Sequence, residues 1–199
     1  MPAEHHAEHD DRAERIRAIV ARCLAGETAA ATELVDTFRQ QVFGLAYRML
    51  GHREDAEDVT QETFVRALRS LRSWDESRDF IPWLLAIAGN RCRTFLASKS
   101  RRPRFASECD QLPDPAPSPA AIRTLAEEVE LALRGIRVEY RQAFVLFHEQ
   151  ELSYSEIAQA LGCPVGTVKT WVHRARRELI ERLRARDVVG EHSSAVRRI

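Results

Sequence analysis

Five side chains near the C-terminus, Lys169, Thr170, His173, Arg174 and Arg177, fall on one polar, cationic side if their segment is helical. Ammonium, hydroxyl, imidazole and guanidinium groups in that pattern hydrogen-bond base edges and phosphates, and Arg matches guanine and phosphate bidentately. Taken alone, such a helix could equally be a solvated face. A second set, Asp55, Asp58, Gln61 and Glu62 around Val65, is acidic with one apolar residue at its centre. That mixture suits a protein interface, although i,i+4 pairing with Arg66 and Arg69 would also account for the charges. A third set is Asn90, Arg91 and Arg93, with Trp74 in the loop before it. Asn reads a base edge and Arg holds phosphate or stacks. An indole face carries an unstacked base at ~1–3 kcal/mol, and Trp74 fits that role or core packing. None of these sets is catalytic. The chain has no Gly-rich phosphate loop and no nucleophile–base motif. The expectation is a protein that is not an enzyme and needs no cofactor or metal.

The 199 residues carry 30 basic and 30 acidic side chains, for a formal net charge of +0. That balance argues against a nucleic-acid binder until the order is read. Glu54, Asp55, Glu57, Asp58 and Glu62 form an acidic block, and two basic blocks follow, Arg91 to Arg104 and Lys169 to Arg186. Segregated charge of both signs implies two kinds of partner. Lys99 and Lys169 are the only lysines. The excess of Arg suits phosphate and guanine, and GC-rich codon usage would produce it too. With 44% hydrophobic and 30% charged residues the chain reads as soluble and globular. The longest apolar run, Phe80 to Gly89, falls well short of the ~18 residues of a membrane span. The polar, His-rich start is unlike a signal peptide, so no membrane and a cytoplasmic location are expected. Cys23, Cys92, Cys109 and Cys163 form no CxxC pair and read as free thiols. His5, His6 and His9 lack a matching ligand set.

The elements that position these residues are helices. Leu34, Phe38, Val42, Leu45, Ala46 and Met49 follow helical spacing up to Gly51, as do Ala56, Phe64, Ala67 and Leu71. The pattern resumes from Phe80 through Leu84, Leu85, Ala88, Cys92, Phe95 and Leu96, with Asp79 as a candidate cap and Pro82 in the first turn. Five of the eight prolines lie between Pro103 and Pro119, a composition that breaks helices and reads as an extended linker. The predicted fold is all-α: two small helical bundles joined by a Pro-rich linker. The expected layout is a partly disordered leader at 1–25, a first domain at 26–102, the linker at 103–120, a second domain at 121–186 and a tail at 187–199.

The second domain ends in the most specific pattern. Ser153 and Glu156 form a capping box for a helix from Tyr154 to Leu161, and small Ala158 lets a second helix cross closely. Gly162 supplies a turn with positive φ. After Pro164, the residues Val168, Val172, Ala175, Leu179 and Leu183 form a buried stripe. Together these predict a helix-turn-helix whose second helix lies in the DNA major groove.

Three stretches in register resemble one family, the extracytoplasmic-function (ECF) sigma factors of bacterial RNA polymerase. Ser153 to Leu179 is similar to that family's promoter-reading motif, Asp55 to Phe64 to its polymerase-binding helix, and Trp83 to Cys92 to its promoter-melting helix. The resemblance covers about Leu34 to Arg186. It implies that Asp55, Asp58, Gln61, Glu62 and Val65 meet core polymerase, at the β′ clamp helices with the β subunit nearby. It implies that Trp74, Asn90, Arg91 and Arg93 capture the minus-ten strand, and that Lys169, Thr170, His173, Arg174 and Arg177 read the minus-thirty-five duplex. It also implies control by an anti-sigma factor. Trp171 departs from the family, which commonly has Arg there; it could pack or touch a thymine methyl. The rival reading is a stand-alone helix-turn-helix regulator, which leaves Val65 in its acidic surroundings unexplained.

Overall fold

The computed structural model describes residues 2–101 and 125–186. Among them the chain is helical with no strand: α1 (Pro2–Leu24), α2 (Thr28–Leu50), α3 (Arg53–Ser70), a 3-10 turn (Leu71–Ser73), α4 (Phe80–Arg101), α5 (Leu125–Arg134), α6 (Val138–His148), α7 (Tyr154–Leu161) and α8 (Val165–Ala185). The linker assigned to 103–120, the tail at 187–199, Cys109 and the side chains of His5, His6 and His9 lie outside the described residues. No helix among the described residues is long and apolar enough to cross a membrane.

Helix α2 is the central post of the first bundle. Ala30, Leu34, Phe38, Val42, Leu45 and Met49 are fully buried along one side, the side predicted from their spacing. Gly51 ends it at φ 75°, returning its N–H to the Tyr47 carbonyl at 2.8 Å. Helices α3 and α4 pack on α2 and on each other. Pro82 sits in the first turn of α4, where a missing N–H costs no helical hydrogen bond.

Within the stretch assigned to the leader, α1 runs to Leu24 and packs on α2. Ile16, Ile19 and Val20 stand at i, i+3 and i+4 and are buried in the main core. That is an apolar helical side long enough to dock, and it belongs to the first bundle.

The second bundle, α5 to α8, has its own cluster of Leu133, Ile136, Tyr140, Phe144, Ala175, Leu179 and Leu183. The two bundles are not separate in this structure. Ala143, Val145, Leu146, Ile157, Ala158, Val168 and Val172 continue the core built around α2 and α4. Helix α2 meets α5 and α6, and α4 meets α7. Two polar features mark this junction. Arg48 of α2 donates to Glu130 of α5 and Glu149 beyond α6, each at 3.0 Å. Gln142 of α6 is fully buried over Gly89 of α4, so close that a Cβ on Gly89 would lie 1.8 Å from its Nε2. Neither amide atom of Gln142 has a hydrogen-bond partner among the described residues.

Candidate protein and nucleic-acid interfaces

The acidic side of α3 is built by the helical repeat itself. Ala56, Thr60, Phe64 and Ala67 face the core, which turns Glu54, Asp58, Gln61 and Val65 outward, all exposed. Val65 is 47% exposed, one of three large apolar side chains left in solvent among the described residues. Two acids of the set are not simply solvated. Lys99 of α4 donates to Asp55 at 3.1 Å. Glu62 accepts from Arg66 one turn on and from Arg91 of α4. Burial raises the Glu62 pKa, but the two guanidiniums outweigh it and hold the carboxyl below its usual range. The outward surface outside these ion pairs is therefore Glu54, Asp58, Gln61 and Val65, and Glu62 also ties α3 to α4.

On α4, Asn90 is exposed and accepts from Arg93, while Arg91 is largely withdrawn, its side chain 18% exposed against Glu62. Arg93 is half-buried and close enough to Glu139 of α6 and Cys163 of the α7–α8 turn to favour their ionised forms. The cationic side of α4 thus lies toward the second bundle, where α4 meets α7. Of the two readings of Trp74, the structure favours packing: it is 7% exposed and edge-on to Phe80, with centroids 5.3 Å apart. Trp83 is half-buried and also packs on Phe80.

The helix-turn-helix forms as its local signals require. The Ser153 hydroxyl accepts from the Glu156 N–H at 3.2 Å, and the Glu156 carboxylate accepts from the Ser153 N–H at 2.7 Å. Gly162 stands at φ 64°. Val168, Val172, Ala175, Leu179 and Leu183 are buried, and Lys169, Thr170, His173, Arg174 and Arg177 are exposed on α8. Their local partners differ. Lys169 lies over the Tyr154 ring at 5.8 Å, Thr170 donates to its own helix at Gly166, and Arg177 reaches Glu181 at 3.6 Å. Arg174 donates to the Tyr140 hydroxyl of α6 at 2.8 Å. Trp171 is half-buried, in contact with both hydrophobic clusters. Packing is the role this structure gives it. Tyr140 is not among the residues singled out from the sequence, where it stands as one more aromatic on the helix face of Phe144 and Phe147.

Comparison with known proteins agrees with this geometry. The family model for sigma-70 region 2 matches residues 34–102, and the model for sigma-70 region 4 matches residues 126–179. The chain is 38% identical over 170 residues to the ECF RNA polymerase sigma factor SigE of Mycolicibacterium smegmatis, covering 81% of this chain and 62% of that one. It is 32% identical over 176 residues to the ECF sigma factor SigW of Bacillus subtilis, covering 80% of this chain and 91% of that one. Among solved structures it is similar to CnrH in complex with the cytosolic domain of CnrY, with TM-score 0.63, 26% identity and coverage of 85% and 97%. The fold is also that of the Bartonella quintana sigma factor RpoE, solved with the anti-sigma factor NepR, at TM-score 0.62, 24% identity and coverage of 77% and 96%. With both regions matched in order on either side of the Pro-rich stretch, the chain belongs to the ECF group of sigma-70 family factors, which direct RNA polymerase to promoters.

Proposed function

We propose that the outward side of α3 docks on core RNA polymerase, α4 captures the minus-ten strand, and α8 reads the minus-thirty-five element. The observation that carries the docking assignment is Val65, an exposed apolar residue one and two turns beyond Gln61 and Asp58 on a helix whose other apolar residues are buried or half-buried. An apolar centre in an acidic rim is the composition of a protein interface. On α4 the reading rests on Asn90 and Arg93, with Arg91 released from Glu62 as the strand arrives. On α8 it rests on Lys169, Thr170, His173, Arg174 and Arg177. The β′ clamp helices, with the β subunit nearby, are the docking partners in this reading, and the cytoplasm is the place of action. The remaining partner is an anti-sigma factor, in keeping with the similar CnrH having been solved with a protein bound.

This reading requires the two bundles to separate on the promoter. Elements centred near positions minus ten and minus thirty-five are about 85 Å apart along duplex DNA at 3.4 Å per step. A compact body of this chain length is about 40 Å across. The covalent length between residues 101 and 125 allows up to ~80 Å. The packed arrangement, with Arg93 against α6 and the α7–α8 turn, is then a state with a promoter-binding side covered.

The test is co-elution of the full chain with core polymerase. Asp58→Arg combined with Val65→Glu is expected to abolish it and leave the thermal midpoint within a few degrees. Glu62 is the wrong residue to change, since it pairs with Arg91. Retained co-elution would remove the α3 assignment. Promoter binding by the chain without polymerase would instead favour the stand-alone regulator.

A further inference from the structure

We propose that Tyr140, on α6 and outside the helix-turn-helix, is a positioning residue that presets Arg174 for reading the promoter. The proposal rests on α8 being the promoter-reading helix. The Tyr140 ring is fixed in place: the residue is 6% exposed and sits in the cluster of Leu133, Ile136, Phe144 and Leu179. The Trp171 ring packs beside it, centroids 6.5 Å apart and tilted by 41°. Arg137 stacks over the same ring at 5.4 Å. Its hydroxyl reaches the edge of the bundle, where the Arg174 Nη1 donates to it at 2.8 Å and the Arg174 guanidinium lies 5.8 Å from the ring centroid.

The chemistry follows from the shape of the guanidinium. Its N–H groups form a rigid fork. With Nη1 tied to the hydroxyl, the Nε–Nη2 edge remains whole, and that edge makes two parallel hydrogen bonds to guanine O6 and N7 or to a phosphate. An arginine free in solvent samples many rotamers and loses them on docking. One held in advance loses fewer, and its orientation is set before DNA arrives. Trp171 acquires a purpose here as well: it walls in the ring that holds Arg174. Arg174 is thus governed by a residue 34 positions earlier in the chain.

The test uses the full chain assembled with core polymerase and a promoter that it selects from random duplexes. Each base pair of the upstream element is then substituted in turn to give a discrimination profile. Arg174→Ala should flatten the profile at one or two positions. Tyr140→Phe keeps the ring packing, and so should keep the thermal midpoint within a few degrees and the non-specific duplex affinity unchanged. It should reduce discrimination at those same positions by about three- to tenfold, the worth of one net hydrogen bond. Added to Arg174→Ala it should do nothing further. A wild-type profile for Tyr140→Phe beside a flattened one for Arg174→Ala overturns the positioning role and leaves the α8 reading intact. A uniform loss at every position, or a midpoint lowered by more than the few degrees that one hydrogen bond is worth, overturns it in favour of a merely structural ring. If Arg174→Ala leaves the profile unchanged, the assignment of Arg174 to DNA fails first and takes the proposal with it.

Discussion

Gln142→Met tests the junction between the bundles. The amide is fully buried and neither of its polar atoms has a partner among the described residues. Burying an unpaired amide costs about 1–3 kcal/mol on the evidence of protein mutations. Met has the same unbranched length and no strong polar atom, so it fills the space over Gly89 with little strain. Allowing for imperfect fit, the packed state should gain about 1–2 kcal/mol. For a chain of this size that raises the thermal midpoint by about 2–8 °C. It also shifts the equilibrium between packed and separated bundles by about 5- to 30-fold. Urea unfolding reads the first effect as a higher midpoint at unchanged slope. Dyes on the two bundles read the second, and open-complex formation with core polymerase should become correspondingly harder. A Met variant destabilised by 1 kcal/mol or more would show that the amide contributes stability where it sits, and the reasoning from its missing partners would be refuted.

Three further outcomes follow from single contacts. Arg48 and its two carboxylate partners have side chains only 25–29% exposed. Arg48→Ala should loosen the junction by about 1–2 kcal/mol at low salt, seen as a larger radius of gyration in X-ray scattering, with the difference shrinking in high salt. Ser153→Ala removes one half of the capping box and should cost ~1 kcal/mol in urea unfolding; no change would mean that the box contributes nothing to α7. His148 packs against Phe144 and Phe147 with centroids 4.4 and 4.9 Å away. Burial, then the nearby Arg176, lowers its pKa below the ordinary 6.5. The unfolded chain therefore takes up the proton first as pH falls. The stabilisation is complete above 6.5 and is lost as pH drops through the lower folded value. Urea midpoints at pH 7.5 and 5.5 should differ less for His148→Gln than for the parent, and an equal difference would count against the buried neutral ring.

Whatever depended on neighbours within about two helical turns was legible beforehand. The capping box at Ser153, the positive φ at Gly162, the end of α2 at Gly51 and the buried stripe of α8 all follow from spacings of three to seven residues. Ile16, Ile19 and Val20 of α1 carry the same periodicity and are buried accordingly.

The sequence by itself determined the helices, their apolar sides and the residues turned outward, because a fixed 100° per residue converts order directly into direction. Only the tertiary structure decided which outward residues acquire partners: Arg91 on Glu62, Arg174 on Tyr140, Arg48 on Glu149, and Trp74 drawn into the core beside Phe80. Most of these partners come from different helices, and Arg48 and Glu149 stand 101 positions apart. No spacing rule links such positions. Their meeting is set by how the apolar sides of separate helices fit together, a property of the assembled core rather than of any one segment.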